Sequence, residues 1–221
     1  MAIYFTFMGS KYTIQNIYYN IMKVLELFSG TGSVGKCCKS LGWDVVSVDL
    51  ILPADHQCDI MDFDYKQYDK NEFDIVWASP PCTEYSKAKS VGVRDIEGAN
   101  KIVLKTIEII DYFNCEYWFM ENPQTGYLKK QSFMEPLPYV DCDYCMYGKP
   151  YRKRTRIWTN KKCHMLLCNK ACGSFVDGRH IGSCGTGGQG QGHKKSYSNK
   201  SYTLQEKYAI PPELIYSLFL T

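Results

Sequence analysis

Cys82 stands directly behind two prolines, in Ala78-Ser79-Pro80-Pro81-Cys82-Thr83-Glu84-Tyr85-Ser86. A cysteine held this way at the end of an apolar run is presented rigidly at the edge of a site. Downstream, Phe119-Met120-Glu121-Asn122-Pro123 sets a carboxyl group at the end of a second apolar run. Further on, Arg152, Arg154 and Arg156 alternate with other residues, so that on a strand they would share one face. A thiol, a carboxyl group and cations together suit covalent catalysis. The thiolate is accessible near neutral pH, more so beside positive charge, and the carboxyl group can hydrogen-bond or donate a proton. Taken singly, each has a plainer meaning: a small buried hydrophobe, a strand end before a helix cap, and a solvated basic strand.

These groups need elements to position them. From residue 23 onward, short apolar runs alternate with amphipathic stretches. Val24 to Phe28 reads as a buried strand, closed by Ser29-Gly30-Thr31-Gly32, and Ser33 to Leu41 reads as a helix stopped by Gly42. Strands are expected over Asp44 to Val48, Gln57 to Ile60, Phe73 to Ala78 and Tyr117 to Met120, with a helix over Ile102 to Phe113 and a late strand at Ile157-Trp158. Such alternation predicts an α/β fold, a doubly wound and mainly parallel sheet with helices on both faces. The tail, Tyr208 to Ile215, reads as a proline-initiated helix returning to the core.

In such a sheet, ligands bind beyond the carboxyl ends of the strands. Phe28-Ser29-Gly30-Thr31-Gly32 is a glycine-rich turn into a helix, with free N–H groups and room for close backbone approach. Asp49 ends the second strand, where an acid accepts from ribose hydroxyls, and Asp59 suits an exocyclic adenine amine. The turn lacks the lysine of a phosphate-binding loop. The acids favour an adenosine-type cofactor, without separating NAD from S-adenosylmethionine.

Leu25-Glu26-Leu27-Phe28-Ser29-Gly30, Pro80-Pro81-Cys82, Glu121-Asn122-Pro123 and the alternating arginines together, in this order, resemble the DNA cytosine-5 methyltransferase family. The resemblance runs from residue 23 to about 160, with a fainter echo at Ile210-Pro211. It implies a Rossmann-like S-adenosylmethionine-dependent methyltransferase fold and methylation of carbon 5 of cytosine in DNA. It implies Cys82 as the covalent nucleophile, Glu121 at N3 of a flipped-out base, and Arg154 and Arg156 beside them. Ile60 and Pro80 join Phe28, Ser29, Gly30, Thr31, Gly32, Asp49 and Asp59 as the expected cofactor contacts. Thr83 to Asn100, with Ser86, Lys87, Lys89 and Arg94, is expected to be a mobile loop closing over the base. An RNA-directed branch of the same fold, acting on tRNA, and a catalytically silent nucleic-acid-binding module are the competing readings.

The region after the core departs from that family. Only about forty residues, Lys161 to Ser201, stand where larger members carry a target-recognition domain. The segment before Ile210 also lacks the usual Gly-Asn-Ser. Relaxed specificity, a short target or a helper protein are all compatible with this, and the compactness resembles enzymes of phages and large DNA viruses. Within the insertion, Cys168-Asn169-Lys170-Ala171-Cys172 has a spacing used by structural zinc sites, His180 follows, and Cys145 could complete a tetrahedron. A set of reduced cysteines in a small subdomain is the alternative.

The chain of 221 residues supports one main core with a small appendage. The expected divisions are an extension at 1–21, a catalytic core at 22–160, a Cys/Gly-rich recognition-like region at 161–201 and a returning segment at 202–221. Residues 1–21 read equally as an upstream extension or a short Tyr-rich helix. They show neither a basic n-region nor a long apolar run, so no signal or membrane span is expected. The eleven cysteines, an odd number, argue against a disulfide scaffold and for a reducing, cytoplasmic setting. The net charge of +3 permits a nucleic-acid partner only if the basic residues cluster. A monomer is expected.

Overall fold

The computed structural model describes residues 21–184 and 202–221, together with the backbone of a small antiparallel pairing, Thr6–Phe7 with Ser10–Lys11. The rest of the 1–21 extension and the glycine-rich stretch at 185–201 lie outside the described residues.

The main sheet has seven strands, numbered in chain order: β1 Lys23–Leu27, β2 Asp44–Asp49, β3 His56–Gln57, β4 Ile75–Ala78, β5 Tyr117–Pro123, β6 Tyr139–Asp143 and β7 Arg154–Thr159. Their spatial order is β3-β2-β1-β4-β5-β7-β6. The five strands from β3 to β5 pair parallel, while β7 runs antiparallel to both β5 and β6. Among the described residues four α-helices accompany them: α1 Ser33–Ser40, α2 Ile96–Phe113, α3 Leu204–Tyr208 and α4 Pro212–Phe219.

Strand alternation divides the core. Leu25, Leu27, Val76, Ala78 and Met120 pack with Val103, Ile109, Ile110 and Phe113 of α2 on one face. Val24, Ile75, Trp77 and Phe119 pack with Val34 and Cys38 of α1 and Leu214, Ile215, Leu218 and Phe219 of α4 on the other. The helices on both faces are what the apolar pattern predicts for a doubly wound sheet. The reversal of strand order at β1 and β4 leaves a crevice beyond their carboxyl ends, where such folds bind ligands.

Several boundaries differ from the sequence expectation. β3 covers only His56–Gln57, because Asp59 closes a turn on the Met61 N–H at 2.9 Å. α2 begins at Ile96 rather than Ile102, since Asp95 caps it by accepting from the Gly98 N–H at 2.8 Å. Its first turn therefore takes the end of the expected mobile loop. That loop is also braced: Arg94 donates to the carbonyls of Glu84, Ser86 and Lys89, and Lys89 pairs with Glu84 at 2.6 Å. β6 was not expected at all. Among the described residues no helix is long and apolar enough to cross a membrane, and all eleven cysteines are free.

Candidate active site

The turn after β1 shapes one end of the site. Gly30 and Gly32 take positive φ, at 52° and 66°, so the chain reverses sharply into α1. Asp49, at the end of β2, ties this turn to the next: one carboxylate oxygen accepts from the Gly30 N–H at 2.8 Å, the other from Ile51 and Leu52 at 2.9 and 2.8 Å. A carboxylate offers about four acceptor positions, so about one is left for a ligand hydroxyl. Beneath the turn, buried Glu26 accepts from the first-turn N–H groups of Val34 and Gly35, at 3.2 and 3.0 Å. Burial pushes its carboxyl up to about 7, against the opposing pull of those two N–H groups.

At the other end, Pro80-Pro81-Cys82 follows β4. Its shape is held from two sides: the Asn122 amide donates to the Pro80 carbonyl at 2.9 Å, and the Tyr85 N–H closes a turn on the Cys82 carbonyl at 3.1 Å. Glu121, buried on β5, accepts from the Tyr144 hydroxyl at 3.1 Å and pairs with Lys153 at 3.4 Å. Lys153 lies 4.7 Å from the Tyr144 ring.

Both ends open into one cavity of about 470 Å³, lined by Phe28, Ser29, Gly30, Thr31, Asp49, Pro80, Cys82, Glu121 and Lys153 among others. Its size suits a nucleoside-sized ligand beside a reacting group. Leu50 and Ile51 line it while 60% and 77% exposed, an apolar pair facing open space as a wall for a flat ring would. A Cβ on Gly30 would meet nothing nearer than 3.8 Å, so the cradle is roomy. These features fit an adenosyl cofactor held by Phe28, Gly30, Thr31, Leu50, Ile51 and Pro80.

Three expected cofactor contacts lie outside the lining. Gly32 starts α1, Asp59 accepts from the Met61 N–H with one carboxylate oxygen, and the Ile60 side chain is buried in the core. The expected arginines also face elsewhere. Arg156 forms a two-pronged pair with Asp141, at 2.7 and 2.9 Å, and stacks on Tyr139, and Arg154 is exposed. The reason is strand phase. Ile157 sits opposite Glu121, so residues two and four before it share that face and Arg154 and Arg156 take the other. Lys153, immediately before β7, is the cation that reaches the carboxylate.

Electrostatics follow from that substitution. Burial pushes the Cys82 thiol up and Glu121 pushes it further, while Lys153 pulls the other way.

The third wall comes from far along the chain. α3 is capped by Thr203 and Glu206 in a reciprocal box, and contributes Leu204, Gln205 and Tyr208. Tyr151 fastens it by donating to the Glu206 carbonyl at 2.9 Å. The Tyr208 hydroxyl is pushed up mainly by burial and next by Cys82, and both residues line the cavity. Glu26, Leu50, Ile51, Lys153, Leu204, Gln205, Tyr208 and Ile210 all line the cavity without having been singled out in the sequence as site residues. For Ile210 the apolar echo was a signal; for Tyr208 there was none.

The arrangement can present a thiol, a buried carboxyl group and a cation to a planar ring, with the glycine-rich end of the cavity alongside. Residues 22–131 match the family model described as C-5 cytosine-specific DNA methylase. A relative described as "Probable DNA (cytosine-5)-methyltransferase" from Frog virus 3 (isolate Goorha) is 34% identical over 224 residues, covering 89% of this chain and 98% of that protein. Among solved structures, a prophage-encoded E. coli protein described as a DNA modification methyltransferase aligns at TM-score 0.49 and 18% identity, over 62% of this chain and 46% of its own. A Spodoptera frugiperda DNMT2 variant aligns at TM-score 0.45 and 18% identity, over 66% of this chain and 55% of its own.

Proposed function

The chain belongs to the C-5 cytosine-specific DNA methylase family, and on that premise we propose that it methylates carbon 5 of cytosine in DNA through a covalent adduct at Cys82. The observation that carries this reading is the joining of Cys82, Glu121 and Lys153 in one cavity with an adenosyl-sized pocket. S-adenosylmethionine, the methyl donor of this family, supplies an electrophilic methyl group when bound. The residues of the chain do the rest. The Cys82 sulfur adds to carbon 6 of the base, so that carbon 5 becomes the nucleophilic end of an enamine. Glu121 hydrogen-bonds N3 and the exocyclic amine, where charge builds as sulfur attacks. Loss of the carbon 5 proton and expulsion of Cys82 then free the product. A stacked base cannot reach this depth, so the target is flipped out or unpaired.

Lys153 takes the part of the flanking cation: it holds Glu121 and favours the ionised sulfur. Replacing Lys153 with Met is therefore expected to move the acid limb of the rate–pH profile to higher pH, because the thiolate is harder to form without it. Lys153→Arg should keep the limb near its original place. Single-turnover rates across pH check this, and an unmoved limb in Lys153→Met would remove the lysine from this role.

On this reading, residues 22–160 form the catalytic core, 161–201 the target-recognition region and 202–221 a segment completing the cofactor wall. The description of the Frog virus 3 relative as a DNA (cytosine-5)-methyltransferase supports DNA as the substrate. Transfer of a tritiated methyl group to duplex DNA, single-stranded DNA and tRNA tests it directly. Incorporation into DNA at cytosine is expected, and incorporation confined to tRNA would replace the DNA reading with the RNA one.

A further inference from the structure

Away from the cavity, the Cys145 thiol meets a short segment that has no core of its own. Cys145 is buried in a tight turn after β6, while Cys168, Cys172 and His180 belong to the insertion. One ligand atom from each of the four lies within 4.8 Å of the other three. The Cys168 and Cys172 sulfurs are each 3.4 Å from the same nitrogen, Nε2 of His180. A ring nitrogen has one lone pair, so it cannot accept from two thiols in good geometry. Around a tetrahedral zinc ion, with bonds of about 2.3 Å to sulfur and about 2.0 Å to nitrogen, the sulfur–nitrogen separation comes to roughly 3.5 Å. The convergence is that of ligands on a common ion.

The surroundings are built to hold these groups. The Lys170 N–H points at the Cys168 sulfur at 3.4 Å, and Asn169 turns the chain by accepting from the Ala171 N–H at 3.0 Å. Asp177 and Gly178, both at positive φ, close a hairpin that pairs Phe175–Val176 with Arg179–His180 and so delivers the imidazole. Meanwhile Leu167, Val176 and Ile181 remain exposed. A segment burying this little needs a staple of another kind.

We propose that Cys145, Cys168, Cys172 and His180 bind one structural zinc ion, which fastens the insertion to the turn that presents Lys153. The insertion reaches that turn by several routes. Asp143 accepts from the Cys168 N–H at 2.8 Å while forming a two-pronged pair with Arg152, at 2.9 and 2.8 Å. The Gly182 N–H donates to the Pro150 carbonyl at 2.9 Å. Lys153 follows directly, so the ion fixes the approach of the cation to the cavity. The fastening role rests on the methyltransferase reading above; the metal site does not.

The test begins with the zinc content of the full chain after dialysis against metal-free buffer. One equivalent per chain is expected. It should fall to near zero in Cys168→Ser/Cys172→Ser and persist in Cys163→Ser, whose sulfur lies outside the group. Because the double variant can fail to fold, cobalt(II) titration of the unsubstituted, metal-stripped chain supplies an independent reading. Thiolate-to-cobalt charge transfer with the intense visible bands of four-coordinate cobalt is expected, saturating at one equivalent. Absence of bound zinc together with only weak six-coordinate cobalt bands would overturn the site, as would full zinc retention in the folded double variant. Adduct formation on 5-fluorocytosine DNA, measured in parallel, separates the two readings. A missing adduct with the metal count intact removes the methyltransferase reading alone, and a missing metal with the adduct intact removes this one.

Discussion

Cys82→Ala is expected to lose methyl transfer by about 10⁴-fold or more, because among the described residues no other thiol lines the cavity. The sharper readout uses DNA carrying 5-fluorocytosine, whose carbon 5 fluorine cannot leave as a proton does. With methyl donor present, the unsubstituted chain should form a denaturation-resistant adduct that maps to Cys82 by mass spectrometry, and Cys82→Ala should form none. Binding of the methyl donor should survive the change, since Phe28, Leu50 and Ile51 are untouched. An adduct that persists in Cys82→Ala, on another residue, would refute the mechanism.

Glu121→Gln is expected to slow transfer by about 10²- to 10³-fold, the usual cost of removing one well-placed group that stabilises developing charge. Its second effect distinguishes this role from a merely structural one. Glu121 pushes the Cys82 thiol up, so neutralising it should move the acid limb of the rate–pH profile to lower pH even as the rate falls. Lys153→Met moves the same limb the opposite way. A Glu121→Gln protein with a normal rate, or with a limb shifted upward, would contradict the assignment. Tyr144, which donates to Glu121 at 3.1 Å, keeps a partner in the Gln side chain, so the fold should hold.

Most of the frame was legible from the sequence because it rests on local signals. Apolar runs of strand length, glycine at the β1 turn and prolines before Cys82 each dictate backbone behaviour within a few residues. What stayed hidden depended on phase or on distance. The basic run Arg152 to Arg156 was visible, but which of its members faces Glu121 depends on the pairing of Ile157 with that residue. A shift of one residue exchanges the faces, and so Lys153 took the place expected for the arginines. That Asp59 closes a turn on the Met61 N–H was likewise invisible in one dimension. Tyr208 and Gln205 come from a short helix whose contact with the cavity exists only after the chain has returned. β6 is an edge strand whose Tyr139 is exposed, so it lacked the apolar run that marked the central strands.

The resting state of Cys82 bears on how the protein survives between turnovers. Peroxide and electrophilic poisons react with thiolates, and only slowly with thiols. Burial and the neighbouring carboxylate push this thiol up, toward the protonated form. On the proposed mechanism, the attacking sulfur would thereby be shielded from the oxidants around it, and its reactivity would come with the substrate.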